Sequence, residues 1–92
     1  MKVRMETSRL LLYRVGWLKA SGRDAVADAA IAKLHLSEAW VQSCLDAIQI
    51  HGANGYSNEF PVERYFRDAR LMTITEGTTE VQLMLIAREL GI

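Results

Sequence analysis

The feature that most constrains this chain is an apolar stripe between Asp24 and His51. Ala27, Ile31, Leu34, Val41, Leu45 and Ile48 recur at helical steps, three or four residues apart or a multiple of a turn. The pattern predicts one long helix from about Ala25 to Ile50 or His51, with Asp24 as its N-cap. Glu38 interrupts the stripe and marks its polar edge. Ala29, Ala30 and Ala32 leave room for another helix to approach closely, which points to bundle packing. Trp40 lies off the stripe and either fills a second interface or half-covers the surface. Cys44 falls inside the apolar pattern and reads as a small buried hydrophobe rather than a nucleophile.

A chain of 92 residues allows one domain with a limited core. Eleven basic residues balance eleven acidic ones. A zero net charge argues against a broad electrostatic hold on nucleic acid and against a polybasic membrane anchor. It favours association, with copies of the chain or with another part of a larger protein. One cysteine excludes an internal disulfide and suits a reducing compartment. No segment is apolar for long enough to span a membrane, and no signal peptide is apparent.

The remaining elements follow from the same periodicity. Leu10, Leu11, Leu12, Tyr13, Val15, Trp17 and Leu18 are too dense for a half-exposed strand. Arg4, Arg9, Arg14 and Lys19 break them at helical spacing, so a first helix is expected from about Val3 to Ala20, its arginines solvated. Gly22 is its expected C′ residue. Pro61 suits the first turn of a short helix, Val62 to about Ala69. There Asp68 can pair with Arg64, and Arg64, Arg67 and Arg70 suit either phosphate contact or an ion-pair network. Leu71 to Ile74 is strand-like by residue type but too isolated for a sheet. A last helix is expected from about Thr78 to Leu90, with Val81, Met84, Leu85 and Arg88 on one face. The fold class is therefore all-α: an up-down helical bundle fragment of three main helices and one short one.

Two turns carry residues suited to chemistry. In Ile74-Thr75-Glu76-Gly77-Thr78-Thr79-Glu80-Val81-Gln82 a carboxylate sits at a turn tip, next to a flexible glycine and two candidate N-caps. That arrangement can hold an anion or polarise a carbonyl, or it can simply start a helix. In Gln49-Ile50-His51-Gly52-Ala53-Asn54-Gly55-Tyr56 two glycines and an asparagine make an open turn. A ligand or second chain can approach the backbone there, or the turn serves only as a helix C-cap. It lacks the Lys-Ser/Thr ending of a phosphate loop. His35 and His51 have no further ligands at metal-binding spacing, so no metal site is expected.

Taken together, these blocks resemble the C-terminal helical domain of the acyl-CoA dehydrogenases. The resemblance rests on Gln49 to Tyr56, then Pro61-Val62-Glu63-Arg64, Arg67-Asp68-Ala69-Arg70, Ile74 to Gln82 and Ile86-Ala87-Arg88-Glu89, in the family's order and spacing. Met5-Glu6-Thr7-Ser8-Arg9-Leu10-Leu11-Leu12-Tyr13 and Ile31-Ala32-Lys33 also match, so the whole of residues 1–92 is covered as a partial domain. Members of that family remove two hydrogens from the α and β carbons of a fatty acyl-CoA. A glutamate takes the α proton and the FAD takes a hydride from the β carbon.

The resemblance implies that Glu76 is the base and that Gly77 lets substrate approach. The backbone N–H of Glu76 would help polarise the thioester carbonyl, without which an α C–H is too weakly acidic for a carboxylate. Thr78 and Glu80 match positions that touch FAD. Gln49, Gly52, Ala53 and Gly55 match a loop that reaches the FAD of a neighbouring subunit. Ala53 stands where the family usually has a second glycine, and Glu80 where a glutamine is common, so a methyl group and a negative charge meet the cofactor. The family's N-terminal helical domain, its middle β domain and two further helices of the bundle fall outside this sequence. The resemblance further implies an acyl-CoA substrate and a homo-oligomer, or the other dehydrogenase domains on a separate chain. It also implies electron-transfer flavoprotein as acceptor and a cytoplasmic or mitochondrial-matrix location. Independent catalysis is not expected of this chain, and a non-catalytic helical assembly module is the alternative.

Overall fold

In the computed structural model, which describes residues 1–92, every regular element is a helix: α1 (Lys2–Ala20), α2 (Val26–His51), α3 (Ala53–Tyr56), α4 (Val62–Leu71) and α5 (Thr79–Glu89). Helix α2 is the hub. It packs against each of the others, whereas no Cα of α1 comes within 8 Å of one in α4 or α5, and the same holds between α4 and α5.

Helix α1 ends in a Schellman motif. The Arg23 amide donates to the Leu18 carbonyl and the Gly22 amide to that of Lys19, with Gly22 at φ 72° as expected for C′. Asp24 then accepts from the Val26 amide at 3.1 Å and helps start α2. The chain returns antiparallel. Arg14 pairs with Asp28, Thr7 meets His35 at 3.0 Å, and Arg4 pairs with Asp46. Two of the arginines expected to be solvated therefore tie α1 to α2. They can do so because their long side chains reach past the apolar seam.

Helices α4 and α5 both run back along the other side of α2, one after the other. Phe66 and Ala69 of α4 pack on Val41 and Cys44 in the C-terminal half of α2. Ala69 is completely buried, so the two backbones lie close. Leu85 of α5 shares a cleft with Ala29 and Ala30 of the N-terminal half. The turn joining α4 to α5 meets α2 between Lys33 and Glu38, in its N-terminal half.

Several expectations change. The deepest residues of α2 are Ala30, Ala32, Ser37, Val41 and Cys44, while Ile31 and Leu45 of the predicted stripe are exposed. With neighbours on more than one side, α2 buries its small residues where backbones approach. On α5 the buried residue is Gln82, and Val81 and Met84 face outward. The open turn after His51 contains one helical turn, α3. Helix α4 continues through Leu71, and hydrogen-bonded turns follow where a strand-like connector was expected. The Asp68–Arg64 pair does not form, nor does any ion pair of Arg64, Arg67 or Arg70; Arg64 lies instead over the Tyr65 ring. Trp40 stays half-exposed beside the α1–α2 groove.

The molecule measures 47 × 23 × 17 Å with a radius of gyration of 15.4 Å. A compact domain of this length would have about 12 Å. Only 12 of 92 residues are buried, and Leu10, Tyr13, Trp17 and Met84 are each more than half exposed. The chain presents an apolar surface that its own helices do not cover.

Candidate active site

The turn between α4 and α5 is built from both ends. The amides of Ile74 and Thr75 donate to the Leu71 carbonyl at 2.9 and 3.0 Å, and the Thr73 hydroxyl donates to that of Arg70 at 2.9 Å. These bonds satisfy the carbonyls that α4 leaves open. At the other end, the Thr78 hydroxyl accepts from the Val81 amide at 3.2 Å, so Thr78 caps α5 as its residue type predicts. The Thr79 amide donates to the Thr73 carbonyl at 3.1 Å and closes the loop.

At the tip, Glu76 has φ 55° and is the only non-glycine residue with positive φ. That conformation costs a non-glycine residue about 1–2 kcal/mol, and it turns the carboxylate outward. Gly77 follows at φ 91°, where a Cβ would lie 2.5 Å from Gln82 Nε2. The amides of Glu76, Gly77 and Thr78 have no acceptor within the chain. One carboxylate is thus followed by three successive free donors, its own included.

The turn is held from beneath. Lys33 Nζ of α2 donates to the Met72 and Gly77 carbonyls, each at 2.7 Å. Gln82 Nε2 donates to the same Gly77 oxygen at 3.3 Å, and the Thr79 hydroxyl donates to Glu38 Oε1 at 2.8 Å. Sequence reading singled out none of Lys33, Glu38 and Gln82 for this role. A signal did exist for Lys33: it is a lone cation on the face of α2 that carries Ala29, Ala30 and Ser37. Glu76 opens onto a cleft of ≈ 580 Å³ that Lys19, Arg23, Asp24, Lys33 and Leu85 also line. Such a site can take a proton from carbon beside a carbonyl whose oxygen receives the free amides.

The second set of predicted residues lies elsewhere. Gln49 is exposed near the end of α2, Gly52 turns the chain at φ 62°, and Ala53 begins α3 in the open. Gly55 is buried, and a Cβ there would lie 2.5 Å from the Ile48 carbonyl oxygen, so this glycine allows α3 to fold back on α2. His51 Nδ1 donates to the Ala47 carbonyl at 2.8 Å and its ring meets Phe60 edge-on. No group of three or more potential metal ligands exists. Gln49 is sixteen residues along α2 from Lys33, or about 24 Å of helix. One chain therefore does not bring Glu76, Gly77, Thr78 and Glu80 together with Gln49, Gly52, Ala53 and Gly55.

The profile of the family described as "Acyl-CoA dehydrogenase, C-terminal domain" matches residues 1–91. The chain belongs to the acyl-CoA dehydrogenase family. This dehydrogenase C-terminal domain is 46% identical over 90 residues to the probable acyl-CoA dehydrogenase YngJ of Bacillus subtilis, covering 98% of the chain and 24% of that protein. It is 41% identical over 87 residues to the caffeyl-CoA reductase–Etf complex subunit CarC of Acetobacterium woodii, covering 95% of the chain and 23% of that subunit. Among solved structures, the FAD complex of PigA superposes with a TM-score of 0.94 at 44% identity, over 99% of this chain and 24% of that one. The chain thus spans about a quarter of the length of the curated relatives it matches. None of its helices is long and apolar enough to cross a membrane.

Proposed function

We propose that this chain is the C-terminal part of an FAD-dependent acyl-CoA dehydrogenase in which Glu76 removes the α proton of an acyl-CoA thioester. The supporting observation is the Glu76 turn: a carboxylate on a left-handed residue, followed by a glycine and flanked by unpaired amides. The Glu76 amide would donate to the thioester oxygen as negative charge develops on it. The carboxylate oxygen accepts the α proton, and Gly77 leaves the approach free of a side chain.

The residues present fit a flavin in two separate places. Thr78, with its free amide and a hydroxyl hydrogen not committed to the cap, offers donors beside Glu76. Around Gly52 the space a side chain would fill is empty, and Gln49 and Ala53 beside it are exposed. With about 24 Å of α2 between these places, one flavin would meet Thr78 of one copy and Gln49, Gly52 and Ala53 of another. Gly55 would act by holding the loop against Ile48. Glu80 sets a negative charge near the anionic cofactor and opposes binding. FAD, when bound, supplies the acceptor for the β hydride. Catalysis in this reading needs the other dehydrogenase domains, with electron-transfer flavoprotein as the electron acceptor.

The second reading is a helical assembly module without turnover. The extent of uncovered apolar surface favours it, since that surface serves association whether or not chemistry occurs.

Titrating the purified chain with FAD, by flavin fluorescence and with the mass in solution measured alongside, separates the two. Saturable binding at micromolar concentration in a dimer or larger species is expected for the enzyme part. Acyl-CoA-dependent flavin bleaching after adding the remaining dehydrogenase domains, lost in Glu76→Gln, would complete that case. A stable oligomer that neither binds FAD nor supports bleaching leaves the assembly module.

A further inference from the structure

We propose that Lys33 is a positioning residue for Glu76: its ammonium clamps both ends of the turn and holds the left-handed tip in place. As a statement about catalysis this rests on the reading of Glu76 as the base; as a statement about the turn it does not.

A glutamate at φ 55° persists only when its surroundings over-determine the backbone. The turn makes few bonds of its own across the tip, because the amides of Glu76, Gly77 and Thr78 are all unpaired. The Thr79–Thr73 bond closes the loop but leaves the orientation of the peptides within it free. Lys33 supplies the missing constraint. Met72 precedes the tip by four residues and Gly77 follows it by one, and a single ammonium bonds both carbonyls at 2.7 Å. Charge-assisted bonds of that length are stronger than amide–amide bonds. Gln82 Nε2 adds a donor on the Gly77 oxygen, so that carbonyl is fixed from two directions. A fixed Gly77 carbonyl restricts rotation of the glycine, the one residue next to Glu76 with wide backbone freedom.

The platform beneath is rigid. Lys33 stands in the N-terminal half of α2, two turns in from its start, and its helix neighbours Ala30 and Ser37 are buried. Lysine suits the task because three hydrogens on a compact ammonium can serve two carbonyls at once, whereas a planar guanidinium presents its donors in a fixed fork.

The test is nuclear magnetic resonance on the 92-residue chain. In the wild type, slowly exchanging Lys33 ammonium protons with through-bond coupling to the Met72 and Gly77 carbonyl carbons are expected. In Lys33→Met, the amide signals of Glu76, Gly77 and Thr78 should shift and broaden, while those of α1 and of the C-terminal end of α2, away from the substituted position, stay in place. Lys33→Ala with added ethylammonium should recover part of the wild-type positions, a rescue that loss of packing alone would not allow. If the wild-type chain binds FAD, Lys33→Met should weaken binding about tenfold. Absence of the couplings in the wild type overturns the clamp without any variant, even if Lys33→Met fails to fold. Unchanged Glu76–Thr78 signals in a folded Lys33→Met overturn it as well. Failure of FAD binding in the wild type strikes the functional reading alone, because the carbonyl couplings are measured without flavin.

Discussion

Gly55 lies so close to Ile48 that a Cβ on the glycine would sit 2.5 Å from the Ile48 carbonyl oxygen. The contact lets α3 fold back on the last turns of α2, and it sets the direction in which the chain leaves toward α4. Gly52, three residues earlier, has open space where a Cβ would go but a φ of 62°. The two glycines are thus required for different reasons. Gly55→Ala should destabilise the chain by about 1–3 kcal/mol through overpacking against backbone. Gly52→Ala should cost about 1–3 kcal/mol through conformation alone, because φ 62° with ψ −141° is a combination essentially reserved for glycine. Urea midpoints of the two variants check both costs; an unchanged midpoint in Gly55→Ala would rule out the steric account of Gly55.

Much of this chain is legible in its sequence. The spans of α1, α2, α4 and α5 follow from periodicity and punctuation to within a residue or two, because each helix has a clear apolar repeat and a stop. Helix α3 is not legible, since its glycine pair reads as open turn and only the contact with Ile48 explains the fold-back. The inner face of α5 is also hidden. Its buried residue is Gln82, and a polar side chain bonded to the Gly77 carbonyl leaves no trace in a hydrophobic pattern. At the site, Glu76 stands out by its turn and its motif. Lys33 is marked only as a lone cation on its face of α2, because nothing in the order of residues shows that this part of α2 lies under residues 72–77.

Thr78 caps α5 with a single side-chain bond to the Val81 amide. Thr78→Ala should cost about 1 kcal/mol and fray the first turn, while Thr78→Ser should retain most of the stability. Hydrogen exchange at Val81 and Gln82 reads the difference directly.

Glu76 holds a backbone conformation that glycine adopts freely. Glu76→Gly should therefore stabilise the chain by about 1 kcal/mol, and Glu76→Ala should not. A rise in melting temperature for glycine alone would identify the strain as conformational. Equal effects of the two substitutions would point to the carboxylate instead.

Asp46 links α1 to α2. Hydrogen bonds from Arg4, then from Gln42, hold its carboxyl below the usual carboxylate range. A depressed folded-state value contributes stability that is present above the unfolded value of about 3.9 and fades as pH falls through the folded one. The chain should therefore lose stability below about pH 4, and part of that loss should vanish in Asp46→Asn. Urea midpoints at neutral and acid pH test this, and an identical pH dependence in wild type and variant would remove Asp46 as a contributor.

The arrangement of partners around α2 has a consequence for how the chain comes apart. Helix α1 packs on α2 alone, and α4 and α5 pack on α2 rather than on α1 or each other. Cooperativity between the two sides runs chiefly through the backbone and side chains of α2. Melting of α1 should leave the α2–α4–α5 side folded, as a separate opening unit with its own exchange rate. A lesion in the backbone of α2, by contrast, reaches both sides at once. The molecule is held less like a nut around its kernel than like two leaves on one spine.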